Sequence, residues 1–193
     1  MRKDIVEFIK AGLQKPLEVS TIVPTSSALA HRMLAELQIH DGLVVELGTG
    51  TGAITRHLVQ KITDPQRYLG FEINDEMTQF MREHYPQLKF AQAAADQVLQ
   101  FTPPGSVDSV ISSLPWTVFS IKTQTTTLNA IFEALRPGGI FITYVCLNAA
   151  ISPLARSFVH QLRATFATVK KSPIEWRNFP PAFVYFARKA EAR

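Results

Sequence analysis

The residues with the clearest chemical potential lie in Val44-Val45-Glu46-Leu47-Gly48-Thr49-Gly50-Thr51-Gly52, a β-rich run that breaks into glycines before a helical stretch. Glycines in such a loop permit positive φ and let backbone amides approach a ligand closely. Gly48, Gly50 and Ala53 also fit G-x-G-x-x-G/A loosely, so the loop alone leaves a dinucleotide site open. Three acids narrow the choice. Glu46, just ahead of the loop, would repel a pyrophosphate at the following helix N-terminus but welcome an amino group. Glu72 closes the next β-rich run, where a carboxylate can accept both ribose hydroxyls. Asp96, in Ala94-Ala95-Asp96 after a third run, is placed to accept from an adenine amino group or to cap a helix.

A second constellation, Ser112-Ser113-Leu114-Pro115-Trp116, follows a fourth β-rich run. Ser113 Oγ, or backbone carbonyls beside it, can accept the hydrogens of an attacking amine and aim its lone pair, and positioning of that kind supplies much of the rate of an in-line displacement. Trp116 is read either as an aromatic wall for the developing cation or as a core residue at a turn. Tyr144, near the end of a fifth run, is a further lining residue or a buried strand tyrosine. No histidine or carboxylate in the turn is an evident base, and a desolvating pocket that favours the neutral amine would suffice in its place.

These parts need a scaffold. Short β-rich runs at Leu43–Leu47, Arg67–Glu72, Leu88–Ala91, Val107–Ser112 and Ile140–Cys146 alternate with helical periodicity, the pattern of a doubly wound α/β sheet. Val169–Trp176 and Ala182–Ala187 are expected to close it. Ile54, Leu58 and Ile62 give one helix face, and Met77, Phe80 and Met81 form the buried stripe of a second helix capped by Asn74. A third helix, Thr123–Leu135, stops at Arg136-Pro137-Gly138-Gly139. Ahead of the first strand, Asp4–Leu17 reads as a helix, and Thr25 or Ser26 caps another reaching about Leu37. One domain is expected, with helices over residues 1–40 covering the glycine loop and the core over residues 41–193.

Composition sets outer limits. With 193 residues, 46% hydrophobic and 19% charged, the chain has the balance of a globular protein. The sequence has no apolar run of membrane-spanning length and no secretory leader pattern, and Cys146 is its single cysteine. A cytoplasmic protein with no metal centre is the simplest expectation. From Arg156 onward eight Lys or Arg stand against two acids, whereas the residues before it carry a net charge of −2. A basic end of this kind suits a membrane surface or a nucleic acid, or is an ordinary solvated face.

The glycine loop with Glu46, Glu72 and Asp96 resembles the cofactor pattern of class I S-adenosylmethionine-dependent methyltransferases from about Leu43 to Cys146. That resemblance implies a Rossmann-like, seven-stranded, mostly parallel sheet with helices on both faces and an antiparallel C-terminal strand. It implies S-adenosyl-L-methionine held by Glu46, Gly48, Thr49, Gly50, Gly52, Glu72, Ile73 and Asp96, with Ser112 and Thr25 completing the lining. Ile22-Val23-Pro24-Thr25-Ser26-Ser27 with Leu29-Ala30, the Ser113-Leu114-Pro115 turn and Trp176-Arg177-Asn178-Phe179-Pro180-Pro181-Ala182 further resemble the Rhodobacter-type bacterial phospholipid N-methyltransferases. Members of that family methylate phosphatidylethanolamine stepwise towards phosphatidylcholine and bind anionic membranes through an N-terminal helix. The resemblance implies Ser113, Leu114, Pro115, Trp116 and Tyr144 at the reacting end, Arg177 and Asn178 near the lipid headgroup, and a position peripheral to the inner membrane. The Ser-Leu-Pro-Trp turn also resembles, more distantly, the Asn-Leu-Pro-aromatic turn of RNA adenine N6-dimethyltransferases. Those usually add a helical RNA-binding domain, for which two strands and a short tail after Phe166 leave no room, and serine lacks the amide carbonyl that would hold the adenine amine. A soluble small amine is the remaining alternative substrate.

Overall fold

The computed structural model describes residues 25–37, 39 and 42–192. The expected helix at Asp4–Leu17 and residues 22–24 of the expected loop lie outside them. The described residues form one seven-stranded sheet: β1 (Leu43–Leu47), β2 (Tyr68–Glu72), β3 (Lys89–Gln92), β4 (Val107–Ser112), β5 (Leu135–Cys146), β6 (Thr168–Lys171) and β7 (Ala182–Arg188). Five α-helices accompany it: α1 (Ser27–Met33), α2 (Thr55–Leu58), α3 (Asp75–His84), α4 (Ile121–Ala134) and α5 (Pro153–Thr165). The strand order is β3-β2-β1-β4-β5-β7-β6, with β1 to β5 parallel and β7 antiparallel to both of its neighbours. This is the Rossmann-like arrangement expected from the sequence.

Alternation along the strands explains why both faces are covered. Val45, Leu47, Val110 and Phe141 belong to one apolar cluster with Trp116, Phe158 and Leu162, while Val44, Ile111, Ile140 and Ile142 belong to another with Leu29, Met33, Leu58 and Met81. From β1 the chain steps outward to β2 and β3, then returns to lay β4 on the other side of β1. The carboxyl ends of β1 and β4 therefore diverge at a topological switch point, where open α/β sheets bind ligands.

Several boundaries differ from the sequence reading, each for a local reason. β6 ends at Lys171 instead of running to Trp176, because Pro173 lacks the N–H a ladder needs, and pairing resumes only as a single bridge between Glu175 and Ala182. β5 begins at Leu135 rather than Ile140, since Leu135 pairs with Val107 and Arg136 bonds to the Asp108 carboxylate. α4 starts at Ile121, capped by Ser120 Oγ on the Thr123 N–H, and α1 is capped by Ser26, not Thr25. After the glycine loop only one helical turn forms, and the chain then tightens with the Lys61 N–H on the Leu58 carbonyl. In α3, Asn74 caps as expected, but Phe80 is exposed and stacks on His84. Thr78 and Met81 are the buried pair; Phe80, one residue from Met81, sits about 100° round the helix.

Candidate active site

The glycine loop leaves the end of β1 and is pinned on both sides. The Gly48 and Thr49 N–H groups donate to the Phe71 carbonyl of β2 at 2.8 and 3.2 Å, and the Ser113 N–H donates to the Leu47 carbonyl at 3.0 Å. Gly48, Gly50 and Gly52 all have positive φ. They are not equivalent: a Cβ on Gly50 would meet nothing within 4 Å, whereas one on Gly52 would meet Met81 and Tyr85 at 3.3 Å. Gly50 thus faces open space, and Gly52 is a packing glycine under α3.

Glu72 spans the crevice. Its Oε2 accepts from the Gly50 N–H at 2.9 Å, and its Oε1 accepts from the Ile73 and Asn74 N–H groups at 2.8 and 3.0 Å. Three amides on one carboxylate fix its orientation, and about one of its four lone-pair positions remains for another donor. Thr49 Oγ1 is buried without a hydrogen-bond partner among the described residues. An unpartnered hydroxyl, the open space over Gly50 and an anchored carboxylate fit the adenosyl and ribose parts of S-adenosylmethionine. Asp96, half-buried at the start of a short 3-10 helix after β3, makes no side-chain hydrogen bond among the described residues and keeps its acceptors available.

Glu46 takes a different place from the one expected. Gly70 lies opposite it on β2 and has no side chain, so the Tyr68 ring reaches across and its hydroxyl donates to Glu46 Oε2 at 2.8 Å. Thr55 Oγ1 donates at 2.9 to 3.0 Å. The carboxyl is buried under α2, and burial pushes it up from the ordinary range to about 7 despite both hydroxyl donors. Its visible task is to tie β1, β2 and α2 together beneath the loop. The linkage has a definite sign. Between pH 4.5 and 7 the unfolded chain has lost a proton that the folded chain keeps, so stability falls as pH rises through that window. Glu46→Gln is expected to remove that slope. The difference in stability between wild type and variant, from urea melts at pH 5 and pH 8, should change by about 3 kcal/mol in favour of the variant.

At β4 the Ser113 hydroxyl donates to the Gly48 carbonyl, locking the turn onto the glycine loop. With its proton committed there, Oγ presents its remaining lone pairs as acceptors. Leu114 and Pro115 are half-buried beside it, and a Cβ on Gly48 would meet Leu114 at 3.1 Å. Two neighbours are corrected. Trp116 is 1% exposed, stacked on Phe158 at 4.6 Å and edge-on to Phe141 and Phe119. It is a core residue with no ring face for a substrate. Ser112, fully buried, accepts from Trp116 Nε1 and the Leu114 N–H at 3.2 Å, so its hydroxyl braces the turn and is closed to the cofactor. Tyr144 is half-buried near the end of β5. Burial pushes its hydroxyl up, against the lowering effect of its bond with Thr25, so the phenol stays neutral. Thr25 is itself buried and lies on this side of the sheet.

The closing loop also divides its residues. Asn178 is buried; its Oδ1 accepts the Ser26 N–H at 3.0 Å and its Nδ2 donates to the Pro180 carbonyl at 2.7 Å. Arg32 of α1 donates twice to Glu175 Oε2, at 3.0 and 2.8 Å. Asn178 therefore holds the loop to α1 and does not face a headgroup, whereas Arg177 is exposed, its Nε 3.3 Å from Glu175. Sequence reasoning missed Thr55, Tyr68 and Glu175; the Gly70 placed opposite Glu46 was a usable signal for Tyr68 once the register of β1 and β2 was known.

The sequence model of the methyltransferase domain family matches residues 44–139, from β1 through the start of β5. Together with the fold and the loop geometry, this defines a class I S-adenosylmethionine-dependent methyltransferase, with S-adenosyl-L-methionine as its cofactor. The chain is 25% identical over 193 residues to an ornithine lipid N-methyltransferase of Singulisphaera acidiphila, covering 96% of both proteins. Among solved structures it is similar to an S-adenosylmethionine-dependent O-methyltransferase of Thermotoga maritima, with a TM-score of 0.64 at 15% identity over 92% of this chain and 70% of that one. It is also similar to a T. thermophilus 16S rRNA N2 G1207 methyltransferase in complex with AdoMet and guanosine, with a TM-score of 0.60 at 18% identity over 85% of this chain and 39% of that one. Among the described residues, no helix is long and apolar enough to cross a membrane.

Proposed function

We propose that this enzyme methylates the amino nitrogen of a membrane lipid headgroup, with phosphatidylethanolamine as the first candidate. The reading rests on the Ser113 turn locked against Gly48, which sets an acceptor beside the cofactor crevice. The lipid part draws on the likeness to the ornithine lipid enzyme over nearly the whole of both chains.

The bound cofactor supplies a sulfonium-activated methyl group. In the proposed roles, Glu72 accepts from the ribose, Thr49 and the amide of Gly50 line the nucleoside, and Asp96 accepts from the adenine amine. Ser113 Oγ, oriented by its bond to Gly48, accepts an amine hydrogen and turns the nitrogen lone pair towards the methyl group. Transfer to that nitrogen would break the carbon–sulfur bond of the bound cofactor, and the methylated amine would then lose its proton to solvent. Leu114 and Pro115 exclude water around the nucleophile and favour the neutral amine. Arg177, exposed with its Nε on Glu175 Oε1, has its terminal nitrogens directed to no partner among the described residues and suits the phosphate next to such an amine.

The test is transfer of labelled methyl from S-adenosylmethionine to phosphatidylethanolamine or ornithine lipid in detergent micelles, with total RNA in parallel. Label in either lipid, and none in RNA, is the expected result. Label in RNA alone rejects the lipid reading.

A further inference from the structure

The loop between β6 and β7 has its polarity turned inside out. Its polar residues Glu175 and Asn178 are buried and bonded to α1, while Trp176 and Phe179 are 68% and 78% exposed. A loop ordinarily folds its aromatics inward and leaves its carboxylates wet. Here the two buried polar anchors fix the backbone so that the aromatic pair, with Arg177 between them, is held out into solvent.

This loop has apolar company. Ile151, 81% exposed, lies in the turn after β5, and the Leu147 N–H in that turn donates to the Pro181 carbonyl at 2.7 Å, joining the two loops. On the other side, Gln124 Nε2 donates to the Trp116, Phe119 and Leu154 carbonyls, tying the segment after β4 to the start of α5. That segment carries the exposed Val118 and leads into Ile121. All three loops leave the sheet where β4 and β5 end and β7 begins, the same end as the glycine loop.

We infer that these three loops form a rim that inserts into the interface of an anionic bilayer. This deepens the proposed function and rests on it for the substrate alone; the rim itself is argued from exposure, wiring and charge. A tryptophan flanked by a cation and a second aromatic suits the headgroup level, where one end of a side chain is apolar and the other wet. The exposed Arg177, with the exposed Lys170 and Lys171 on the strand leading to it, supplies positive charge for anionic headgroups. Single-stranded RNA could also stack on Trp176 and Phe179, but Ile151, Leu147, Val118 and Ile121 offer no ring face for a base, and a bilayer accepts all six. Docked this way, the open end of the sheet faces the lipid, and an amine headgroup reaches Ser113 without leaving the membrane surface.

The chain has two tryptophans, and Trp116 is sealed in the core. Fluorescence change on vesicle binding therefore reports Trp176. Vesicles of phosphatidylglycerol and phosphatidylcholine should bind the protein, and bromine-labelled acyl chains should quench its emission. Raising salt should weaken binding. Ile151→Ser with Trp176→Ser should lower partitioning, measured by sedimentation, by about tenfold or more, from the apolar area withdrawn from the interface. Both residues are exposed, so unchanged S-adenosylmethionine affinity confirms that the variant is folded. Absent quenching in wild type, or undiminished partitioning of the folded variant, overturns the inference. So does a variant that keeps vesicle binding but loses RNA retention or self-association, which assigns the rim to RNA or to a second copy. If the rim behaves as expected while no amine lipid in micelles is labelled, the docking surface stands and the proposed substrate falls.

Discussion

Glu72→Ala is expected to abolish measurable S-adenosylmethionine binding, a loss of at least about a hundredfold, or roughly 3 kcal/mol. Two effects act together. The variant loses the carboxylate proposed to receive the ribose, and it strands the N–H groups of Gly50, Ile73 and Asn74, which now share that carboxylate. Glu72→Gln separates them. Its amide keeps nearly the same volume and one accepting oxygen, but must turn an NH2 group towards either Gly50 or the Ile73–Asn74 pair. Affinity should therefore fall for Gln as well, with less loss of folding stability than for Ala. Calorimetry checks the first quantity and urea melts the second; near-normal affinity in either variant rejects the ribose assignment.

Trp116→Ala should cost about 3 to 5 kcal/mol of folding stability, the range for removing a large buried aromatic from a packed core. The ring fills space between β5 and α5, stacked on Phe158 and against Phe141, and its Nε1 is bonded to Ser112. Its removal leaves Ser112 Oγ without one donor and leaves the turn that carries Ser113 unsupported. Trp116→Phe should recover most of the stability, because the stacking partner is kept. A substrate wall would show the opposite pattern, with a raised KM and an unmoved melting temperature.

The sequence is a good guide where one physical signal dominates. The bounds of β1 and β4 match the expected runs because each carries Val, Leu or Ile on both faces and is flanked by Gly or Pro breakers. Asn74 was legible as a cap because its side chain serves a partner three residues away. The site was less legible where a residue's role depends on what the fold brings across the sheet. Glu46 beside a glycine loop looks like a ligand, yet Tyr68 is 22 positions away and reaches it only through the gap at Gly70. Trp116 looked like a substrate contact because the turn's type was visible and the packing of α5 behind it was not. Asn178 looked like a headgroup ligand, but its partner Ser26 is 152 residues distant. Long-range partners of this kind leave no trace in local spacing.

That last separation also bears on how the molecule is assembled. Helix α1 is held by Ser26 to Asn178 and by Arg32 to Glu175, so one of the first described elements to leave the ribosome docks against one of the last. Contacts so far apart in sequence form late, because the intervening chain must first be organised. A nascent chain can build β1 to β4 and the glycine loop while α1 still awaits these anchors. Fixing of the Trp176–Phe179 tip therefore coincides with completion of the fold, and a partly made chain would hold the cofactor crevice before it holds that exposed edge in place.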